Sequence, residues 1–166
     1  MKVLLKILLL PVSIIKWLKN GIEYLTLNSY LKNISISKID AINGYEFEKY
    51  LEILLKSMGM KTKKTQDSRD YGADIIATYK KETIVIQAKL YYNHNVGISC
   101  VQEAKASKDY YQADKAVVIT NSHYTKSAIN LAKSTQVALI DREKLMNLIN
   151  ATKKEKIRLF NIYTII

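Results

Sequence analysis

Two runs of apolar and β-branched residues, 75–79 and 83–86, constrain the fold more than any other part of this sequence. Only the polar segment 80–82 separates them, and this pattern predicts a β-hairpin. Because a hairpin brings its open ends together, the residues that flank the two runs are expected to be neighbours in space.

Three polar side chains flank the hairpin at this open end. Asp74 precedes the first strand, and Gln87 and Lys89 close the second, two positions apart and therefore on one face. Mg²⁺ is held by a few oxygens and often takes substrate phosphate oxygens as further ligands. The Asp74 carboxylate, the Gln87 amide oxygen and the backbone carbonyl of Ala88 are candidate ligands. Lys89 would position the attacking water and offset charge on a phosphate, which indicates phosphodiester hydrolysis.

Each of these residues also has a structural interpretation. Asp74 follows Gly72 and suits a turn, Gln87 suits a solvent-facing strand position, and Lys89 suits a charged strand end. However, Gln87 and Lys89 interrupt a strongly apolar run, and polar groups that are buried need partners. This favours the metal site.

The order Asp74, then Gln87-Ala88-Lys89, resembles the PD-(D/E)xK nuclease core in the variant with Gln in place of the second acid. The chain in this respect resembles the Mrr-like (type IV) restriction endonuclease family. The likeness covers roughly residues 42–150. Its further segments are Gly44-Tyr45-Glu46-Phe47-Glu48, Asp70-Tyr71-Gly72-Ala73-Asp74, the strand 116–122, Tyr124-Thr125 and Leu139-Ile140-Asp141-Arg142.

The resemblance implies a metal-dependent DNA endonuclease that uses Mg²⁺, with Mn²⁺ able to substitute, and acts in restriction of foreign DNA. The catalytic set that it implies is Glu48, Asp74, Gln87 and Lys89, with Asp74 and Gln87 as metal ligands. Two rival functions stay open: a structure-selective repair or junction nuclease on the same core, and a catalytically inactive DNA-binding or membrane-associated module. A homodimer is a further hypothesis, because cleavage of both strands usually needs two active sites.

Three other polar residues are candidates with simpler alternatives. Glu48 would assist from its helix, or would be a solvated glutamate near a helix N-terminus. Asp70 would be a supporting acid or a turn residue. Gln102 would approach the cleft, or would close a capping box that Ser99 opens.

The segment after the hairpin, residues 90–98, is polar and aromatic. Tyr91, Tyr92 and His94 in it are candidate DNA contacts, since such side chains suit sugar, phosphate or a stacked base. Tyrosines beside a strand end can equally cover a core.

Helices and strands are predicted on both sides of the hairpin, and they alternate after it. The pattern predicts helices at 44–59, 99–111, 125–134 and 142–149, and strands at 60–65, 115–120 and 137–140. Asn43 with Glu46 has capping-box form, and Gly59 suits a helix C-terminus. Strands joined through helices pair in parallel, so the fold class is α/β: a restriction-endonuclease-like mixed β-sheet flanked by helices, with an N-terminal amphipathic helical segment.

The 166 residues divide into an N-terminal basic amphipathic segment and linker (1–40), a nuclease domain (41–150) and a basic, apolar tail (151–166). Residues 2–20 fit an interfacial membrane helix, a helix packed on protein or a targeting segment. A transmembrane span and a cleaved signal peptide are disfavoured. We expect a cytoplasmic protein, peripheral to the inner face of the membrane if residues 2–20 bind lipid.

Composition narrows the chemistry further. A single cysteine and two histidines exclude a disulfide framework and disfavour zinc or histidine-based metal sites. The net charge of +11 favours a polyanionic partner, DNA or an anionic membrane surface. More than half of that excess lies in residues 1–43 and 151–166, which predicts non-specific phosphate or headgroup contacts there.

Overall fold

The structure is a computed structural model that describes residues 14, 26–27, 29–65 and 72–153. Of these, residues 152 and 153 are described by their backbone alone. The predicted amphipathic helix at 2–20 (except Ile14), the tail after residue 153 and Asp70 lie outside the described residues. No helix within the described ranges is long and apolar enough to cross a membrane.

Five strands form one mixed sheet in the described ranges, in the order β1-β2-β3-β4-β5. They are β1 Lys61–Lys64, β2 Ile75–Tyr79, β3 Glu82–Lys89, β4 Lys115–Thr120 and β5 Val137–Ile140. The helices that concern us are α1 Ile36–Ile39, α2 Gly44–Ser57, α3 Ser99–Tyr110, α4 Lys126–Thr135 and α5 Arg142–Lys153. The predicted α/β class is confirmed.

The predicted hairpin is present as the antiparallel pair β2 and β3. Its turn has two residues, one fewer than expected, because Glu82 pairs with Tyr79. Lys80 adopts a φ of 56°, the left-handed conformation that two-residue hairpin turns use. β3 runs on to Lys89 because its second half pairs in parallel with β4, where Lys89 lies opposite Thr120.

Parallel pairing follows the hairpin, as predicted. The chain passes from β3 through α3 to β4, and from β4 through α4 to β5, and both strand pairs are parallel. The carboxyl ends of β3 and β4 therefore meet at one edge of the sheet, which in open α/β sheets is where ligand crevices form.

Helices cover both faces of the sheet. α2 and α5 pack on the face that carries Ile84 and Ile86, in one apolar cluster. α3 and α4 pack on the opposite face, in a second cluster that contains Val85. Because side chains alternate along a strand, Gln87 and Lys89 follow Val85 onto the α3 face.

The helix termini test the capping predictions. Asn43 and Glu46 form the predicted capping box, with Glu46 N donating to Asn43 Oδ1 at 2.9 Å and Asn43 N to Glu46 Oε2 at 3.0 Å. The predicted capping role of Ser99 is wrong. Ile98 is the N-cap of α3, with helical φ and ψ and no side-chain hydrogen bond. Ser99 therefore lies inside the helix, where the extended backbone of a side-chain cap is not available.

Candidate active site

Asp74 lies immediately before β2, and its backbone continues the sheet ladder. Its N–H donates to Ile86 O at 3.0 Å, and its carbonyl accepts from Thr65 N at 3.2 Å. The Thr65 hydroxyl donates to the carbonyls of both Ala73 and Asp74. These bonds to two neighbouring strand ends fix the position from which the Asp74 side chain projects.

The Asp74 carboxylate makes the predicted contact across the hairpin. Its Oδ2 accepts hydrogen bonds from Gln87 Nε2 at 2.9 Å and from the backbone N of Ala88 at 2.6 Å. The open end of the hairpin therefore holds Asp74 and Gln87 in direct contact. The Ala88 backbone contributes its N–H to this arrangement, whereas the sequence predicts its carbonyl as the contributing group.

The side-chain oxygen of Gln87 is a buried acceptor. Its side chain is 5% exposed, and its Oε1 is buried with no hydrogen-bond partner among the described residues. A carboxylate can only accept, so the amide NH₂ must face Asp74 and the carbonyl oxygen must turn away. A buried acceptor without a donor costs about 1–3 kcal/mol. An electropositive group at this oxygen would remove that cost.

Lys89 forms an ion pair with a residue that the sequence did not indicate. Its Nζ lies 2.7 Å from Glu103 Oε2 on α3. Burial of the ammonium acts to lower the pKa of Lys89, but the hydrogen bond and charge of Glu103, with a contribution from Asp74, outweigh it and raise that pKa above the usual value. Lys89 is therefore a cation at neutral pH and lies within electrostatic reach of Asp74.

Glu48 is placed differently from the other three residues of the candidate catalytic set. It lies on α2, which covers the sheet face opposite to α3. Its Oε2 is 2.9 Å from Lys64 Nζ, at the end of β1. Lys64 precedes Thr65, the residue bonded to Asp74, so Glu48 reaches the same end of the sheet from its other side.

Of the two remaining supporting candidates, only Gln102 lies in the described part of the chain. Gln102 is exposed on α3, and its neighbour Glu103 is the residue that meets Lys89. Asp70 lies outside the described residues. Cys100 is buried nearby, and burial raises the pKa of its thiol to about 11, so it is not a thiolate nucleophile at neutral pH.

A polar network holds the segment that follows Lys89. Asn121, 3% exposed, accepts from Tyr91 N at 2.9 Å through Oδ1 and donates to Tyr91 O at 3.1 Å through Nδ2. Nδ2 also donates to Asp40 Oδ1 at 3.0 Å. Arg142 donates to both oxygens of Asp40, at 2.8 Å each, and to Asn121 O at 2.7 Å.

This network borders a polar cavity of about 500 Å³ at the carboxyl ends of β3 and β4. The predicted contact residues Tyr91, Tyr92 and His94 all line it, as do Asn121 and Arg142. No local sequence pattern indicates the roles of Asp40, Asn121 and Arg142, because their contacts join positions 21–102 residues apart.

The donors present fit a hard divalent cation. Asp74 offers a charged oxygen and Gln87 a buried neutral one, whereas no group of three or more His, Cys, Asp or Glu side chains suited to a metal occurs among the described residues. Mg²⁺ is commonly bound by one or two carboxylates, water and substrate phosphate. A set of two protein donors is therefore compatible with Mg²⁺.

Comparison with known proteins finds solved structures of similar fold. The structure is similar to a protein of unknown function, AF1548 (TM-score 0.53, 18% identity, 60% of this chain and 58% of that one), and to the DNA modification-dependent restriction endonuclease AspBHI (TM-score 0.52, 17% identity, 83% of this chain and 38% of that one). At these identities the similarity shows the fold, and this chain spans less than two thirds of either protein.

No curated protein matches the sequence. A family match is found, however, and residues 39–149 carry it; the family is Mrr_cat, described as restriction endonuclease. That range is about two thirds of the chain and contains the whole hairpin, the Asp74–Gln87 contact, the Lys89–Glu103 pair and the cavity. The chain belongs to the Mrr_cat restriction endonuclease family.

Proposed function

We propose that this protein is a Mg²⁺-dependent DNA endonuclease that acts in restriction of foreign DNA, with its cleavage centre at Asp74, Gln87 and Lys89. One observation carries the proposal: Asp74 Oδ2 is hydrogen-bonded to the Gln87 amide, whose buried oxygen is left without a partner among the described residues. A structural Asp–Gln pair has no need of that unpaired oxygen, whereas a cation site does.

Asp74 and Gln87 would hold the metal, which when bound supplies Lewis-acid polarisation of a phosphate oxygen and a more acidic water. Gln87 in place of a second acid leaves the protein one negative charge fewer for the cation. The metal affinity of the protein without DNA is therefore expected to be weak, with phosphate oxygens of the substrate supplying the missing ligands.

Lys89 acts in this proposal as a fixed positive charge. Its raised pKa keeps it protonated at neutral pH, so it cannot accept the proton of the attacking water. It can donate hydrogen bonds to that water or to a phosphate oxygen, and it stabilises the negative charge that develops on the phosphate. Glu103 holds the ammonium on the α3 face until a phosphate competes for it.

Glu48 is proposed to assist through the sheet edge. Its pairing with Lys64 stabilises the end of β1, and Thr65 beyond it fixes the backbone of Asp74. This is a positioning role, which differs from direct contact with the metal.

The test is cleavage of supercoiled plasmid, methylated and unmethylated, with Mg²⁺, with Mn²⁺ or with chelator. The parent is compared with Lys89→Ala and with Lys115→Ala as a matched control. Lys115 is also a strand lysine, about a quarter exposed, and it pairs with Glu82 at 3.5 Å. We expect metal-dependent nicking or linearisation by the parent and the control, and loss in Lys89→Ala.

Two results would count against the proposal. Cleavage that persists in chelator, or in the Lys89→Ala variant, would show that the cleavage centre does not lie at this hairpin. Plasmid that is bound but left intact by all three proteins would favour an inactive DNA-binding module.

Preferential cleavage of methylated plasmid would support a role in restriction of modified DNA, and the ratio of nicked to linear product would report whether one or two strands are cut.

A further inference from the structure

The cavity of about 500 Å³ beyond Lys89 has a composition that suits a neutral, planar ligand. Its one acid–base pair is internally neutralised, because Arg142 donates to both oxygens of Asp40. The remaining lining is made of asparagine, serine, tyrosine and histidine side chains. A pocket for phosphate needs uncommitted positive charge, whereas a pocket for a nucleobase needs hydrogen-bonding groups and an aromatic surface.

Tyr92 provides such an aromatic surface. Its side chain is 54% exposed, yet its hydroxyl donates to Ile42 O at 2.6 Å. The ring is therefore held at its far end while a large part of its surface stays accessible. An aromatic ring that is fixed in place loses little conformational entropy when a base stacks on it.

The other cavity residues are also held in place. The His94 ring is bonded through Nδ1 to Tyr92 O at 2.7 Å and packs edge-on against Tyr91 at 4.5 Å between ring centroids. Ser122 donates to His94 O at 2.8 Å. Together with the Asn121 bonds to Tyr91, these contacts make the cavity a preformed feature of the fold.

The cavity is close in the chain to the proposed cleavage centre. Tyr91 follows Lys89 by two residues, roughly 7 Å of extended backbone. We infer that the cavity receives one unpaired nucleotide of the DNA substrate, stacked on Tyr92, next to the phosphate that Lys89 would contact. This inference rests on the proposed function for the identity of the polymer, and it narrows the substrate class to DNA that offers an unstacked or unpaired nucleotide.

Binding is measured in chelator, so that no cleavage interferes, by fluorescence anisotropy of the full chain with three labelled DNAs. These are a perfect duplex, the same duplex with one extrahelical 2-aminopurine, and the single strand. We expect about tenfold tighter binding of the DNA with the extrahelical base, the scale of one base–aromatic stack, and quenching of the 2-aminopurine fluorescence on binding.

Variants assign the preference to the cavity. Tyr92→Leu removes the ring and is expected to abolish the preference and the quenching, whereas Tyr92→Phe keeps the ring and retains most of both. Tyr110→Leu is the matched control, because Tyr110 is 55% exposed on α3 and does not line the cavity. Equal binding of the perfect and the extrahelical duplex, absence of quenching in the parent, or a preference that persists in Tyr92→Leu would each overturn the inference.

Cleavage of the same duplexes with Mg²⁺ separates this inference from the proposed function. A Tyr92-dependent binding preference without any cleavage would support the cavity inference and contradict the nuclease. Lys89-dependent cleavage by a protein that binds both duplexes equally would contradict the cavity inference and support the nuclease. Absence of DNA binding by the parent would contradict both. If Tyr92→Leu fails to fold, equal binding of the two duplexes by the parent, or absence of 2-aminopurine quenching, would still overturn the inference.

Discussion

Lys89 of β3 and Glu103 of α3 form an ion pair of 2.7 Å on the sheet face that carries Gln87. Neither residue is deeply buried, with the side chains 24% and 42% exposed, yet the pair keeps Lys89 charged against the cost of its partial burial. The proposed cleavage centre therefore depends on a helix as well as on its hairpin.

Replacing Glu103 with Gln keeps the shape of this contact and removes its charge. The pKa of Lys89 then falls, so the alkaline limit of DNA cleavage should move to lower pH. At neutral pH Lys89 stays charged, but its ammonium is held less firmly, and the rate should drop about tenfold, equivalent to about 1.4 kcal/mol. The pH dependence of plasmid nicking measures both effects. Asp109→Asn, which breaks the exposed Lys105–Asp109 pair on the same helix, is the control and should leave the profile unchanged.

Gln87→Glu should make stability depend on metal. In the parent the amide donates to Asp74 at 2.9 Å, whereas a glutamate would place a second carboxylate there. We expect a loss of about 1–3 kcal/mol in chelator, and a larger rise in Tm on adding Mg²⁺ or Mn²⁺ than in the parent. Differential scanning fluorimetry measures both. Asn130→Asp, an exposed change of the same charge, should respond like the parent, and an identical response of Gln87→Glu would argue against a cation at this position.

Asp40→Asn should lower stability in a pH-dependent manner. The hydrogen bond from Arg142, opposed by burial and aided by Asn121, holds the pKa of Asp40 below its usual value. A carboxyl with a depressed pKa contributes its full stability above the unfolded-state value of about 4, and loses that contribution as pH falls through the folded-state value. Since both partners are about a third exposed, the effect at pH 7 should be about 1 kcal/mol.

Urea denaturation at several pH values measures this effect. The difference between the parent and Asp40→Asn should be largest at neutral pH and should shrink below pH 4. A difference that stays constant down to the most acidic condition would show that the charge of Asp40 is not its cause.

Gly72→Ala should destabilise the protein more than Gly59→Ala. Both glycines have left-handed φ values, 88° and 87°. A Cβ on Gly72 would lie 2.9 Å from Glu103 Cβ, whereas one on Gly59 would meet nothing within 4 Å. Gly59→Ala therefore reports the backbone strain alone, about 1 kcal/mol, and the further loss in Gly72→Ala reports the collision with α3.

The same pair of variants probes the cleavage centre. The collision should displace Glu103 and with it Lys89, so Gly72→Ala should lose cleavage at temperatures where it is still folded. Thermal melts and plasmid nicking, run side by side, separate the two effects. Equal Tm values for the two variants would contradict the close packing of residue 72 against α3.

The part of the site that sequence could predict is the part that local structure creates. The Asp74–Gln87 contact follows from strand alternation and a short turn, which require only that residues 75–86 form a hairpin. The mixed sheet follows in the same way, because helices that join successive strands impose parallel pairing.

Contacts that depend on the rotation of a helix could not be predicted. The family resemblance indicates Gln102 as the residue of α3 near the cleft, with a capping box as the alternative, but α3 presents Glu103 to Lys89. The partner of Glu48 could not be predicted either, since only the packing of α2 on the sheet decides that it is Lys64. The Asn121 side-chain amide bonds to the backbone N and O of Tyr91, in the way that a neighbouring strand would. No local sequence pattern indicates this contact.

The Asp40–Arg142 pair closes a loop of 102 residues, whereas the Asp74–Gln87 contact closes one of 13. Long closures cost more chain entropy and tend to form after local ones. During synthesis, the hairpin has all its residues well before α5 leaves the ribosome. We therefore expect the Asp74–Gln87 pair, the proposed metal ligands, to form early, and the network that borders the cavity to form last, after both ends of the domain have been made.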